Sequence, residues 1–143
     1  NSGTIAAKKY LWVQVSVAGH SSGENDSYRF NSNATSNAYN WRRNANGETT
    51  STEADNEMVL WGTGTTNKMV NTFIYNKADQ QKLCTTEIIV SDSGGSPNKP
   101  YTVQHAGKWN NTSDAITSIQ YGDNKGNSIT LNAGSTLSIW GHD

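Results

Sequence analysis

The 143-residue sequence holds a single cysteine, Cys84, so no intramolecular disulfide can close within it. Cys84 stands between Leu83 and Thr85 in a strand-like run, which favours a buried, inert thiol over a reactive one. Charge is scarce as well. Asp, Glu, Lys and Arg make up 16% of the residues, against about 25% in an ordinary globular domain. The formal net charge is −1, and Lys and Arg are scattered, with Lys8-Lys9 and Arg42-Arg43 the only adjacent pairs. That leaves no electrostatic footprint for nucleic acid. No apolar run approaches the ~20 residues of a membrane-spanning helix, and no signal-peptide core is present, so no membrane role is expected. There is no internal repeat, no heptad run and no amphipathic helix of useful length, so no coiled-coil stalk is encoded. The first residue is not Met, as in a chain with a processed or trimmed N-terminus.

Asn, Ser and Thr fill the places that charge leaves. These residues bond their own backbone and favour turns and short strands over helix. Five Trp, six Tyr and recurrent Val/Ile runs argue against disorder and for a packed core in one domain, residues 1–143. "KKYLWVQVSVAG" (8–19) alternates cleanly, with Leu11, Val13, Val15 and Val17 on one face and Trp12, Gln14, Ser16 and Ala18 on the other. The same reasoning predicts strands at 27–31, 36–43, 56–62, 67–76, 82–92 and 101–107. In 36–43, Tyr39 and Trp41 share a face opposite Asn40 and Arg42. Residues 44–54 are polar, contain Asn46-Gly47, and suit a turn followed by an exposed connection. "SGGSPNKP" (93–100) must be a loop. Strand-like runs recur about every 10–15 residues, which predicts an all-β antiparallel sandwich.

Candidate chemistry is thin. His20, His105 and His142 share no metal-ligand spacing, and one cysteine cannot complete a zinc set. Glu53, Asp55 and Glu57 alternate, which suits a solvated strand edge better than an acid/base pair. "DNKGN" (123–127) lacks the alternating oxygen ligands and distal Glu of a calcium loop and reads as a hairpin turn on Gly126. "GTGTTN" (62–67) has no Lys-Ser/Thr pair, so it is not a phosphate loop, and no G-x-S-x-G elbow occurs. Sequons such as Asn33-Ala-Thr and Asn111-Thr-Ser are expected by chance in so Asn-rich a chain. The reading is that of a non-enzyme with no cofactor and no metal. Trp12, Trp41, Trp61, Trp109 and Trp140 suit core or subunit-interface positions better than sugar stacking. Trp12 and Trp140 fall opposite the apolar members of their own strands, which makes them candidates for a subunit interface.

The order of four stretches carries a resemblance. "YRFNSNATSNAYNWRR" (28–43), "FIYNKADQQKLCTT" (73–86), "HAGKWNNTSDAITSI" (105–119) and "LNAGSTLSIWG" (131–141) together resemble a family of small virion proteins of tailed phages, common in marine and cyanobacterial phages. The shared features are structural: Arg29, Phe30 and Asn31, then Trp41, then Gly107 and Trp109, then Gly134, Ser135 and Gly141. Trp140 stands where a Tyr is more usual, and Asp114 interrupts a run of small residues before Ala115. The resemblance implies a jelly-roll-like sandwich on the particle exterior, assembled in the host cytoplasm. Its duty would be that of a capsid decoration or cement protein binding other virion proteins, as a homo-oligomer such as a trimer. The alternatives are a tail or head fibre domain contacting host surface glycan, and a free carbohydrate-binding lectin.

The closing stretch, 115–141, reads as three small strands in a meander. Ala115, Thr117, Ile119 and Tyr121 would share one face with Ile116 opposite. Ile129 and Leu131 would then face Leu137 and Ile139, with Gly126 and Gly134 at the turns. Gly107-Lys108-Trp109 would turn a corner before it and lay the indole over the core.

Overall fold

Strict alternation makes a strand one-sided, and most strands of this chain alternate. In the computed structural model, which describes residues 1–143 except 22, 48, 64–65, 92–99 and 124–128, ten strands form. They are β1 (Tyr10–Ala18), β2 (Asn25–Phe30), β3 (Tyr39–Ala45), β4 (Thr49–Asp55), β5 (Met58–Thr63), β6 (Asn67–Tyr75), β7 (Lys82–Val90), β8 (Tyr101–Trp109), β9 (Ile119–Asp123) and β10 (Thr136–His142). All pairings between them are antiparallel. Seven strands make one sheet in the order β10-β1-β6-β7-β8-β3-β4, and three make a second in the order β5-β2-β9. The chain is the expected antiparallel, jelly-roll-like β-sandwich, with no helix among the described residues.

The two layers share one core. From the large sheet come Leu11, Val13, Val15 and Val17, then Val70, Ile74, Ile88, Val103, Tyr39 and Trp109. From the small sheet come Tyr28, Phe30, Met58, Leu60, Ile119 and Tyr121. Each fully buried aliphatic side chain stabilises the sandwich by about 1.5–3 kcal/mol relative to exposure. Cys84 lies in this core, its thiol pushed up to about 12 by burial.

Several sequence expectations need correction. Residues 49–55 are not an exposed connection but the edge strand β4, paired with β3 from Ala45–Thr49 to Tyr39–Asp55. Asn46 (φ 49°) and Gly47 (φ 80°) fold the chain back, and an edge strand exposed at Thr52, Glu53 and Ala54 has no apolar stripe to betray it. Gly107 turns no corner. It sits inside β8, opposite Trp41 and Cys84, where Met58 of the small sheet presses onto it.

The closing meander does not form. β9 belongs to the small sheet and β10 to the large one, where Ile139 pairs with Val13 and Leu137 with Val15. Residues 115–118 are not a strand, and Ile116 is fully buried rather than turned away from Ile119. The cause is side-chain bracketing of the backbone: Asn76 Oδ1 accepts from Ile116 N at 2.6 Å, and Asn76 Nδ2 donates to Ile116 O at 3.1 Å. Ile129 and Leu131 are half-buried beside the core, but among the described residues their segment pairs as an isolated bridge, Leu131 to His20, rather than as a strand. Gly134 does supply a turn (φ 92°), and Ser135 Oγ beside it accepts from Ala18 N and donates to Asn132 O. All but the last residue of the expected loop at 93–100, all but Asp123 of the turn at 123–127 (Gly126 included), and part of the 62–67 stretch lie outside the described residues.

Candidate functional site

Because the inner face of the large sheet is committed to the core, the alternate residues of β10, β1, β6 and β7 face solvent. Register lines them up in rows. Trp140 pairs with Trp12, Trp12 with Phe73, and Phe73 with Thr85. In the next row His142 pairs with Tyr10, Tyr10 with Tyr75, and Tyr75 with Leu83. The rings touch: Trp12 lies 4.6 Å from Trp140, 5.9 Å from Phe73 and nearly parallel to it, and Tyr10 lies 5.7 Å from Tyr75. Trp12 Nε1 donates to Asn71 Oδ1 in the polar row that follows. These rings are packed against one another yet open to solvent, with Trp12, Trp140 and Phe73 39%, 47% and 52% exposed. The other half of the same face is polar, with shallow grooves lined by Arg42, Asn44, Glu87 and Gln104.

A second cluster is wholly enclosed. Asp26 shares the inward face of β2 with Tyr28 and Phe30, and Lys68 shares the inward face of β6 with Val70 and Thr72. The two sheets bring them together, with Lys68 Nζ 2.6 Å from Asp26 Oδ2 and neither side chain exposed. Tyr121 Oη donates to the same oxygen at 2.5 Å. His20 Nε2 stands 2.7 Å from Asp26 Oδ1 and 3.1 Å from Lys68 Nζ, so it hydrogen bonds to the carboxyl only when a proton lies between them. Burial pushes the Asp26 carboxyl up and the Lys68 ammonium down, in both cases toward the neutral form. The periodicity that buries Tyr28 and Phe30 also buries the residue two before Tyr28. That signal in "NDSYRF", with its counterpart in "NKMV", was sufficient to find both charges.

The remaining motif residues hold the frame. Asn31, at φ 50°, donates from Nδ2 to Ala115 O and accepts at Oδ1 from Thr117 N and Ser118 N. Arg29 Nε lies 3.4 Å from Glu57 Oε2, which also takes the Ser27 hydroxyl at 2.7 Å. Glu57 is therefore buried at the β4–β5 corner, while Glu53 is exposed, so the three alternating carboxylates do not share a solvated edge. Trp109 is enclosed by Tyr39 and Phe30, and Lys82 Nζ sits 5.5 Å over its ring, held by the carbonyls of Ala78, Gln80 and Asn111. Trp41 is buried and stacks on His105 at 5.7 Å, with the Arg43 guanidinium on its ring. Gly141 is set beside the Lys8 side chain, near the Lys8–Asp143 ion pair. The side chain of Trp61 lies outside the described residues.

His20 and His105 are buried in separate places and His142 is exposed. Among the described residues no three His, Cys, Asp or Glu side chains converge as a metal set. No protein-family model, no curated protein and no solved structure matches this chain.

Proposed function

We propose that this protein is a structural subunit of a phage particle, displayed on its exterior as a capsid decoration or cement protein that binds neighbouring virion proteins. The observation that carries the binding role is the solvent-exposed ladder Trp140–Trp12–Phe73 with Tyr10, Tyr75 and Leu83 beside it. A contiguous exposed apolar patch usually marks association, and aromatic anchors dominate the energy of interfaces. The motif resemblance over residues 28–141 supplies the particle context. Self-association, as a trimer or another homo-oligomer, belongs to the same reading. Trp140 lies on the edge strand β10, whose seven residues include no Lys, Glu or Pro, the usual devices against edge pairing. The reading calls for no catalytic centre, cofactor, nucleic acid or membrane.

A second reading, a fibre domain or lectin contacting host glycan, draws on the polar half of the face. Gln14 and Asn71 place uncharged hydrogen-bonding groups beside the rings, and their row runs on through Glu87 and Gln104 to Asn44. The test adds purified protein to particles that lack it. Saturable binding that raises the heat resistance of the particles, with occupancy reduced by Trp12→Ala and by Phe73→Ala, supports the cement reading. Particles that survive heating equally well without the protein but fail to adsorb to host cells would overturn it in favour of glycan binding.

A further inference from the structure

We propose that Lys68 and Asp26 become joined by an amide bond between Nζ and Cγ, a covalent strut linking the two sheets that the folded protein forms by itself. The inference is independent of the particle reading. It rests on the placement of three kinds of group around one enclosed carboxyl. The nucleophile comes from β6 in the large sheet and the electrophile from β2 in the small one, and folding holds Nζ 2.6 Å from Oδ2 with both side chains wholly buried. Such confinement replaces a bimolecular encounter by a near-attack arrangement, which raises effective concentration enormously.

Amide formation needs a free amine and a carboxylic acid, not an ammonium and a carboxylate. The enclosure favours those neutral forms, because burial disfavours both charges more than their mutual attraction restores them. The proton inventory is the same either way, since one proton passes from Nζ to the carboxyl.

The remaining groups supply the other requirements. Tyr121 Oη donates to Oδ2 at 2.5 Å, so it stabilises the negative charge that collects there when Nζ attacks Cγ. His20 Nε2 reaches both reacting groups, 3.1 Å from Nζ and 2.7 Å from Oδ1. It takes a proton from the attacking nitrogen and delivers it to Oδ1 as the Cγ–Oδ1 bond breaks. The Nζ–Cγ bond forms, one water leaves, and the product carbonyl Oδ2 keeps the Tyr121 hydrogen bond. No oxidant, metal or activated donor is required. The strut closes a separation of 42 residues in a chain whose lone cysteine permits no internal disulfide.

A buried ion pair that never reacts has the same starting geometry but a different mass. Denaturing intact-mass measurement of the folded wild-type protein is expected to fall below the sequence mass by one water. Trypsin should no longer cut after Lys68, and the digest should contain a branched peptide joining the Lys68 segment to the Asp26 segment. Lys68→Arg and Asp26→Ala should restore the full mass, and Asp26→Asn should lose ammonia in place of water. His20→Ala should fold with the full mass and lose water only slowly. The wild-type measurement decides the matter even where a variant does not fold. Full sequence mass after prolonged incubation of folded protein overturns the proposal, as does a water loss that maps to a cyclic imide at Asp26-Ser27 with no branched peptide.

Discussion

The sulfur of Met58, from the three-stranded sheet, lies where a β-carbon on Gly107 of the seven-stranded sheet would be only 2.8 Å away. The Cys84 sulfur would be 3.0 Å from the same point. Gly107 is therefore a position at which the two layers meet without room for a β-carbon. Gly107→Ala should lower stability by about 1–3 kcal/mol through overpacking. The urea midpoint of unfolding measures it. Combining it with Met58→Ala should give a loss smaller than the sum of the two single losses, because the atom that clashes has been removed.

Asn31 joins the end of β2 to the irregular segment before β9. Asn31→Ala removes the bonds to Ala115 O, Thr117 N and Ser118 N and leaves a non-glycine residue at φ 50°. At a net ~1 kcal/mol per hydrogen bond, the expected loss is about 3 kcal/mol. Asn31→Asp keeps the bonds from Thr117 N and Ser118 N but sets a carboxylate oxygen against Ala115 O, so it should recover only part of the loss. Chemical denaturation of the three proteins tests the order.

His105 makes the sandwich acid-sensitive. Burial lowers its pKa from 6.5 to about 4, and its Nε2 faces Val59 O at 3.0 Å. The unfolded chain takes up this proton at a higher pH than the folded one, so between those values stability rises with pH. The contribution is complete above about pH 6.5 and is lost as pH falls toward 4, with an upper bound of about 3 kcal/mol. Glu57, whose pKa burial raises, acts in the opposite direction. His105→Gln should flatten the pH dependence of the unfolding temperature in this window. An unchanged slope would show that other groups set it.

Trp109 and Trp12 should respond oppositely to truncation. Trp109 is 1% exposed, and Trp109→Ala should cost about 3–5 kcal/mol while stripping Lys82 of the ring beneath it. Trp12→Ala removes surface ring contacts, worth roughly 0.5–1.5 kcal/mol each, and one exposed hydrogen bond to Asn71, and should spare the fold. Thermal unfolding of the isolated variants separates the two.

Cys84 should be silent toward thiol reagents in the folded protein. It is buried against Met58, and its thiol is held at about 12 by desolvation. Labelling should follow the rate of unfolding, and fast labelling of native protein would show that the core opens locally.

Most strands were legible because a half-buried strand writes its burial into every second residue. β1, β6 and β7 were read nearly to their ends, and the outward aspect of Trp12 and Trp140 came with them. β4 was missed because an edge strand exposed at Thr52, Glu53 and Ala54 leaves no such trace. The closing meander failed for a different reason. Strand character in 119–123 and 136–142 is local, but the choice of partner is not: β9 pairs with β2 and β10 with β1, both far away in sequence.

The sequence by itself determined the all-β architecture, the inward faces of the long strands and the scarcity of charge, because these follow from composition and a period of two. Only the tertiary structure decided that Phe73 and Tyr10 extend the Trp12–Trp140 pair into a ladder, that Asn31 and Asn76 bracket residues 115–118, and that Asp26, Lys68, His20 and Tyr121 meet. Periodicity fixes which side of a strand a residue occupies. It cannot say which residue of the opposite sheet will stand across from it, since that depends on how two layers of long-range pairings are registered.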